Sequence, residues 1–422
     1  MPLMLSLSFL STFLQDGPEY EKRKRTPFVP PDITLSEVHA VVPQHLRSKD
    51  TLKGLSVVAR DVFLAFSLYT LSEYIPTTSS FLAQRIHDTL WLQSLFKWSL
   101  WATYWQCQGI LFTSLWCLSH ESSHGNLSSR GWINDGVGFC LHTSLLVPYF
   151  PWKSSHIAHH KATVSLERDT VFVPPTRSHF KLPPEAVART KDYHEILEET
   201  PIYTFYRMFL MQIFGLLFYF VFDARGSPKH PPGTNHFNPY STIFKPRERI
   251  GVVASDAGLL AMIALLYLWS RNVGFGQLAR IYLLPWLLTN HWIVMLTYLH
   301  HADPTVPYYR RGAWTFLRGA LATVDRPLLG WIGRVFFHNV SHNHVSHHIF
   351  SDIPFYNQPE VTARIRTVLK DHYNFDSTNT FRALYRTFTQ CEFVEDEGDV
   401  VFYKNREGKP AREVAQLTGD SR

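Results

Sequence analysis

The chain has 422 residues and a net charge of +6 at pH 7, and 15% of its residues are aromatic. Its mean hydropathy of -0.10 is low for a pure membrane bundle and suits a few apolar spans that carry a large polar part. The lysines and arginines do not form one patch interleaved with aromatic residues, which excludes the usual pattern of a nucleic-acid-binding protein. They cluster beside apolar stretches instead, as expected next to a negatively charged membrane surface.

The first 54 residues are predicted to form a cytoplasmic segment ahead of the membrane part. An apolar run lies within residues 1–17, but no positive charge precedes it and the basic run 22–25 follows it. This order does not match a cleaved signal peptide, so we expect none. Residues 18–54 are rich in proline and charge, as in a surface segment that leads to a membrane.

The main domain is predicted at 55–405 and contains four stretches that are expected to cross the membrane. Each approaches the length that about 30 Å of hydrocarbon requires. A further stretch at 136–150 is too short to cross. Residues 302–422 have no long apolar run and are expected to be α-rich and soluble, ending in a flexible tail at 406–422. The predicted spans are 57–78, 98–118, 252–269 and 278–299.

A parity argument decides the role of the remaining apolar stretch, 202–222. An even number of crossings must separate any two of the histidine clusters described below if all of them meet at one site. Three apolar stretches separate the second cluster from the third, so one of them does not cross. We assign 202–222 to the interface because the loop after it is basic and is expected to stay cytoplasmic. The predicted fold is an all-α integral membrane protein with four transmembrane helices, interfacial helices and a cytoplasmic α-helical cap.

Three short histidine clusters are the main chemical feature of the sequence. They read HESSH, HIAHH and HVSHH. Residues at i, i+3 and i+4 share one face of a helix, so the imidazoles of each cluster can reach one metal site. The adjacent pair in the second and third clusters can be divided between two metals. The candidate ligands are His120, His124, His156, His159, His160, His344, His347 and His348.

Two iron ions explain this ligand set best. Eight neutral imidazoles exceed what one tetrahedral zinc ion uses, and imidazole is a good ligand for iron. HESSH also matches the HExxH pattern of zinc proteases, in which Glu121 would be the general base. That interpretation leaves six clustered histidines unexplained. The sequence therefore predicts a di-iron site without haem, held by the cap.

A pair of irons indicates oxidation of an unactivated C–H bond. Such a bond has no usable pKa, so a general base does not cleave it. Dioxygen activated on iron removes the hydrogen instead, and the protein holds the irons and places the target carbons beside them. No catalytic residue beyond the metal ligands is expected. Glu121 is interpreted as a group that orients a ligand imidazole.

The three clusters and their flanks resemble membrane fatty-acid desaturases, in particular the fungal and plant Δ12 (oleate) desaturases of the endoplasmic reticulum. The resemblance covers about residues 30–405 and includes the strings FNPYSTIFKPRERIGVVASDAG, HHIFSDIPFYN and CEFVEDEGDVVFYKN. It implies a multi-pass enzyme of the endoplasmic reticulum whose active site is cytoplasmic. It also implies that O2 is used to insert a double bond near the middle of a long acyl chain.

The resemblance implies a ninth metal ligand at the end of the last span. The family's YLxH pattern ends at His301, which is the predicted ligand, and His300 is the alternative. The related stearoyl-CoA enzymes have an asparagine that supports a metal-bound water where this chain has Thr297, so that role is not carried over. His338 and His342, just before the third cluster, are expected to lie behind the ligands or at the surface.

The resemblance also implies electrons from NADH through cytochrome b5 reductase and cytochrome b5. The haem motif HPGG of a fused cytochrome b5 domain is absent from the sequence, and KHPPG at 229–233 is not one. A separate cytochrome b5 is therefore the implied partner, which would dock on the basic cytoplasmic face. The other implied partner is a membrane lipid or acyl substrate.

Two groups of residues depart from the usual Δ12 pattern. Ser122 and Ser123 stand in the first cluster where Cys-Gly or Cys-Ser is common, and Val164, Ser165 and Leu166 follow the second cluster. These departures leave acetylenase, hydroxylase and epoxygenase reactions open, on an acyl or a polyketide chain.

An alternative from another class is a non-catalytic metal-binding or transport protein. A transporter should place ionisable residues inside its spans. Here the histidines follow the spans, apart from His291, which is expected to be a packed core residue.

Overall fold

The structure, a computed structural model, describes residues 14–415. The apolar run within residues 1–17, which we do not interpret as a signal peptide, lies mostly outside the described residues. Residues 416–422 of the predicted tail also lie outside them. The strands named within 14–415, β1 (Tyr308–Tyr309) and β2 (Val400–Val401), form one short antiparallel pair. A π-helical turn lies at Ala279–Leu283. The helices are α1 (Pro18–Arg25), α2 (Leu35–Ala40), α3 (Thr51–Ser72), α4 (Ile75–Ile86), α5 (Leu90–Ser123), α6 (Gly131–Ser144), α7 (Tyr149–His160), α8 (Thr190–Leu197), α9 (Pro201–Phe222), α10 (Arg249–Val273), α11 (Phe275–Leu278), α12 (Leu284–His301), α13 (Phe316–Leu321), α14 (Trp331–Phe336), α15 (His344–Ile349), α16 (Gln358–Leu369) and α17 (Thr380–Gln390).

Helices α5 and α12 form the centre of the membrane part. Gly109 of α5 permits their close approach, because a Cβ atom there would lie 2.9 Å from the Cβ of Leu288. In the same contact the Thr289 hydroxyl donates to the Gly109 carbonyl at 3.2 Å. The predicted spans 98–118 and 278–299 therefore correspond to inner helices. Neighbouring helices surround them, so their polar side chains can form hydrogen bonds between helices.

Three helical stretches within 14–415 are long and apolar enough to cross a membrane. They are Thr51–Ser72, Pro201–Phe222 and Pro246–Val273, and only 11% to 22% of the most apolar part of each is buried. Their apolar side chains therefore face outward, as lipid requires. The stretch 202–222, which the parity argument placed at the interface, has the length and composition of a span. The number of spans and the side that each cluster faces stay predictions.

The first predicted span, 57–78, is divided in the structure. Helix α3 begins earlier, at Thr51, and ends at Ser72. Helix α4 begins at Ile75 and has Pro76 in its first turn. Proline has no amide hydrogen to bond to the preceding turn, so Pro76 fits the first turn of a new helix and not the interior of a continuous one.

The cap combines the N-terminal residues with the chain after α12. Its apolar core joins α2, α13, α15 and α16. Within residues 302–415 the structure has the helices α13 to α17 and both strands, with irregular segments between them. The core side chains include Val38, Leu317, Val345, Val361 and Ile365.

Residues 406–415 differ from the predicted flexible tail. The Ala415 amide donates to the Phe28 carbonyl at 2.8 Å, and the Phe28 amide donates to the Glu413 carbonyl at 2.8 Å. These residues therefore pair with the N-terminal segment. The tail prediction rested on local composition, which carries no information on a pairing so distant along the chain.

A buried group of ion pairs fastens the cap together. Arg326 bonds to Asp303 at 2.6 Å and also to Asp376, and Arg386 bonds to Asp376 at 2.6 Å. Arg23 of α1 lies 3.7 Å from Asp303. Because these charged groups are buried away from water, each is stabilised only by its oppositely charged partners.

We expect Asp376→Ala to destabilise the cap strongly. The change leaves Arg326 and Arg386 short of a buried counter-charge, which typically costs about 3–5 kcal/mol. Thermal unfolding of the detergent-purified protein, followed by size-exclusion fluorescence, measures the effect. The control is Asp371→Ala, which breaks the exposed pair with Lys22 and should leave the unfolding temperature nearly unchanged. Equal unfolding temperatures for both variants would contradict the role of the buried group.

Candidate metal centre

Four helix ends bring the histidines of the three clusters together. His120 lies in the last turn of α5 and His301 is the last residue of α12. The second cluster ends α7, and the third cluster is within α15. Because each helix presents one face, the local spacing aligns the rings, and the packing of the helices brings them to one place.

A first group contains five histidines from all three clusters. One ring nitrogen of each lies within 4.8 Å of the others. Nε2 of His156 lies 3.0 Å from Nε2 of His124 and 3.1 Å from Nε2 of His160. The group is His120, His124, His156, His160 and His347.

A second group contains His159, His301 and His348, again within 4.8 Å of one another. His344 joins them, because its Nε2 lies 3.0 Å from Nε2 of His301 and 3.1 Å from Nε2 of His348. Nε2 of His159 lies 3.4 Å from Nε2 of His301. All nine histidines that the sequence analysis proposes as ligands therefore lie in one of the two groups.

The two groups adjoin. The adjacent pair of the second cluster, His159 and His160, is divided between them, and so is the pair His347 and His348. The rings of His160 and His348 stack across the boundary with centroids 4.0 Å apart. This is the division that two neighbouring metal ions would require.

The nitrogen atoms of each group fit a bound cation. Two nitrogens that each lie about 2.1 Å from one ion at right angles would be about 3.0 Å apart. Burial lowers the pKa of His347 to about 3 and lowers the pKa of His344 and His348 well below the ordinary value. The rings are therefore neutral at pH 7, which is the form that binds metal. Nε2 of His347 is buried and has no hydrogen-bond partner within residues 14–415.

Two side chains fix ligand rings from behind. Nδ1 of His159 lies 2.9 Å from a carboxylate oxygen of Asp169, and Nδ1 of His348 lies 3.1 Å from the Thr163 hydroxyl. An Nδ1 that donates its hydrogen leaves Nε2 as the metal-binding atom. The sequence analysis missed both residues, because neither stands at a helical spacing from the ring that it holds.

Glu121 has the position expected of a group that orients imidazoles. Its Oε1 lies 3.2 Å from Nδ1 of His120 and 3.8 Å from Nδ1 of His347, and its Oε2 accepts from Asn126 at 3.0 Å. It is almost fully buried. It therefore touches rings from the first and the third clusters.

The remaining histidines near the clusters lie outside both groups. Nδ1 of His300 donates to the Val324 carbonyl at 2.6 Å, so His301 and not His300 joins the second group. His338 is buried and its Nε2 lies 2.9 Å from a carboxylate oxygen of Asp61 on α3. It is not at the surface, and it ties the loop before the third cluster to α3.

Two further candidates play no part in the groups. His342 is half-buried beside α14, where the ideal Cβ position of Gly333 lies 3.2 Å from its ring. His291 is half-buried and packs on Trp292, with ring centroids 4.7 Å apart.

An apolar cavity of about 390 Å³ reaches both histidine groups. His156 of the first group and His301 of the second lie in its wall, and much of the rest comes from α9 and α12, including Met211, Val294 and Thr297. Cavities that bind small molecules are typically about 300–1,000 Å³ and mostly apolar. The arrangement is able to hold an apolar ligand beside both groups.

Comparison with known proteins identifies the family. The family profile described as fatty acid desaturase matches residues 99–379. The chain belongs to the fatty acid desaturase family. It is 38% identical to the Δ12 fatty acid desaturase of Mortierella isabellina over 379 residues, which cover 89% of this chain and 91% of that protein. The resemblance drawn from the sequence is thereby confirmed, and the protein is an oxidoreductase.

Other relatives differ in the reaction that they are named for. The chain is 35% identical to the oleate hydroxylase of Claviceps purpurea over 424 residues, 93% of this chain and 85% of that protein. It is also 35% identical to the omega-6 fatty acid desaturase, endoplasmic reticulum, of Brassica juncea over 394 residues, 92% of this chain and 96% of that protein. Family membership therefore leaves the exact reaction open. The zinc protease and transporter alternatives are set aside, because the chain belongs to a different family.

We expect His301→Ala and His300→Ala to differ in metal content. His301 lies in the second group, so its loss should remove a substantial part of the bound metal, whereas His300 donates to a backbone carbonyl and its loss should leave the metal in place. Elemental analysis of both purified variants, at matched folding by size-exclusion chromatography, measures this. The reverse order of metal loss would transfer the ligand role to His300.

Proposed function

We propose that this protein is a membrane di-iron desaturase that uses O2 to insert a double bond into a long acyl chain, of Δ12 type or a specialised fungal variant. The observation that carries the proposal is the placement of two adjoining histidine groups beside one apolar cavity. The substrate would lie in the cavity with its target carbons at the histidine end. Residues that are far apart in the sequence meet there, as oxidation of an unactivated chain requires.

The nine histidines would hold two iron ions, five around one and four around the other. When bound, the irons would supply the oxygen chemistry that removes hydrogen from carbon. Asp169 and Thr163 would keep Nε2 of His159 and His348 turned toward the metal, and Glu121 would orient the first group. The cavity wall would hold the acyl chain and exclude water.

Electrons would come from NADH through cytochrome b5 reductase and cytochrome b5. The supporting observation is a net charge of +6, which suits an acidic donor. The enzyme would reside in the endoplasmic reticulum with four spans and the cap in the cytoplasm. The name of the Brassica juncea relative supports that compartment.

A hydroxylase is the second candidate reaction, favoured by the similarity to the Claviceps purpurea oleate hydroxylase. The departures from the Δ12 pattern are less informative than the sequence suggests. Among residues 14–415, the cavity wall includes neither Ser122 and Ser123 nor Val164, Ser165 and Leu166. Acetylenase and epoxygenase reactions on the same scaffold remain alternatives that product analysis separates.

Expression in yeast tests the function directly. We expect cells that carry the wild-type chain to gain a newly unsaturated or oxygenated fatty acid, and cells that carry His347→Ala to lack it, because that ring belongs to the first metal group. Gas chromatography with mass spectrometry of total lipids identifies the product and its position. His45→Ala, an exposed histidine in the cap, is the matched control and should behave as wild type. Full activity of His347→Ala would remove the catalytic assignment.

Metal analysis tests the cofactor separately. The purified, active protein should contain about two irons per chain, because nitrogen-rich ligand sets of this size suit iron. Active material that contains stoichiometric zinc and no iron would contradict the proposal.

A further inference from the structure

A surface hollow of about 520 Å³ lies outside the acyl cavity and is lined by Arg168, Arg311 and Trp314. The Arg168 guanidinium stacks over the Trp314 ring at 4.4 Å. Both arginines are exposed and Trp314 is half-exposed. None of the three lines the apolar cavity, so a molecule seated here would not compete with the acyl chain.

Trp314 connects this hollow to the second histidine group through one residue. Its indole N–H donates to the Thr163 carbonyl at 3.0 Å, and the Thr163 hydroxyl lies 3.1 Å from Nδ1 of His348. The same hydroxyl donates to the His159 carbonyl at 2.9 Å. A ring at the surface is therefore two hydrogen-bonded contacts away from a proposed metal ligand.

The close packing around this connection is built into the sequence. A Cβ atom on Gly319 of α13 would lie 2.6 Å from the Thr163 carbonyl oxygen and 2.9 Å from Nε1 of Trp314. Only glycine leaves room for the hydrogen bond between them. The contact between Trp314 and Thr163 is thus a fixed feature of the cap.

The hollow carries two positive charges. Arg168 and Arg311 are exposed, and neither forms an ion pair within residues 14–415. The carboxylate of Asp399 lies 3.2 Å from the ideal Cβ position of Gly312, next to Arg311. The nearby Glu167 is paired with Arg310 at 3.5 Å. An acidic protein would be attracted to this surface, and the attraction would weaken in salt.

We propose that the surface formed by Arg168, Arg311 and Trp314 is where an acidic one-electron carrier protein docks, and that its electrons reach the metal centre by way of Trp314, Thr163 and His348. This proposal rests on the proposed function. Each docked carrier would give up one electron, and the bound irons would accept it. Two such electrons, two protons and the two hydrogens removed from the acyl chain convert one O2 into two waters. Electron transfer falls off steeply with distance, so a direct contact path is the favoured site for a carrier.

Binding of the soluble haem domain of cytochrome b5 tests the docking surface. The wild type, Arg168→Glu/Arg311→Glu and the control Arg130→Glu/Lys191→Glu are compared in nanodiscs by biolayer interferometry. All four positions are exposed, and both double variants change the net charge equally. We expect about a tenfold higher Kd for the first variant only, and a weaker dependence of its Kd on salt. Equal Kd values for the two double variants would overturn the docking surface.

The rate of haem oxidation tests the path. Trp314→Phe keeps an aromatic ring and removes the N–H that bonds to Thr163. We expect it to bind the haem domain as wild type does and to oxidise it several-fold more slowly in stopped-flow absorbance measurements. The control is Trp331→Phe, at an exposed tryptophan elsewhere in the cap. Oxidation at the wild-type rate in Trp314→Phe would overturn the path.

The measurements distinguish a failure of the docking surface from a failure of the proposed function. The binding assay needs no turnover, so an unchanged lipid profile in yeast with intact, charge-dependent binding would overturn the desaturase proposal and support the docking surface. Desaturation in yeast together with equal Kd values would support the desaturase and overturn the docking surface. Turnover driven by dithionite should be the same in wild type and Arg168→Glu/Arg311→Glu, and a loss there would show damage to the metal centre and overturn the interpretation of the variant.

Discussion

The structure depends on one constraint, which is that nine imidazoles, seven buried and two half-buried, bring their nitrogen atoms close to one another. Several pairs of Nε2 atoms lie 3.0 to 3.4 Å apart. When both atoms of such a pair carry a lone pair, as in the metal-binding tautomer, they repel each other unless a cation lies between them. The rings reach this arrangement only if α5, α7, α12 and α15 end at the same place.

The third cluster is the part that needs most support, because it belongs to the cap and not to a long helix. The Val345 amide donates to Asp325 at 2.8 Å, and the Ser346 hydroxyl donates to Gln358 of α16 at 2.7 Å. Burial raises the pKa of Asp325 to about 7. His338 then ties the preceding loop to Asp61 of α3. The third cluster is therefore held within the cap by Asp325 and Gln358, and the loop before it is held to the bundle by His338.

Much of the site followed from the sequence, since i, i+3 and i+4 spacings place rings on one face whatever the rest of the fold does. His301 has no such spacing to the clusters and came from the family resemblance. Asp169 and Thr163 came only from the structure, because their contacts arise where α7 turns into the following loop. The fold was less predictable at 202–222, where composition gives the length of a helix but not its position relative to a bilayer. The contact of residues 406–415 with Phe28 was equally unpredictable from local sequence, because these residues are far apart along the chain.

The same geometry limits where a change of reaction can arise among these relatives. A desaturase and a hydroxylase can share the metal ligands, so the difference has to lie in how the chain's carbons sit beside them. Residues that decide this must touch the substrate, and Val164 and Leu166 instead pack in a separate apolar cluster with Tyr309. Positions in the cavity wall meet the requirement. At Gly215 of α9 a Cβ atom would lie 3.2 Å from Val294 of α12, so even one added methyl group would crowd the two helices where they line the cavity.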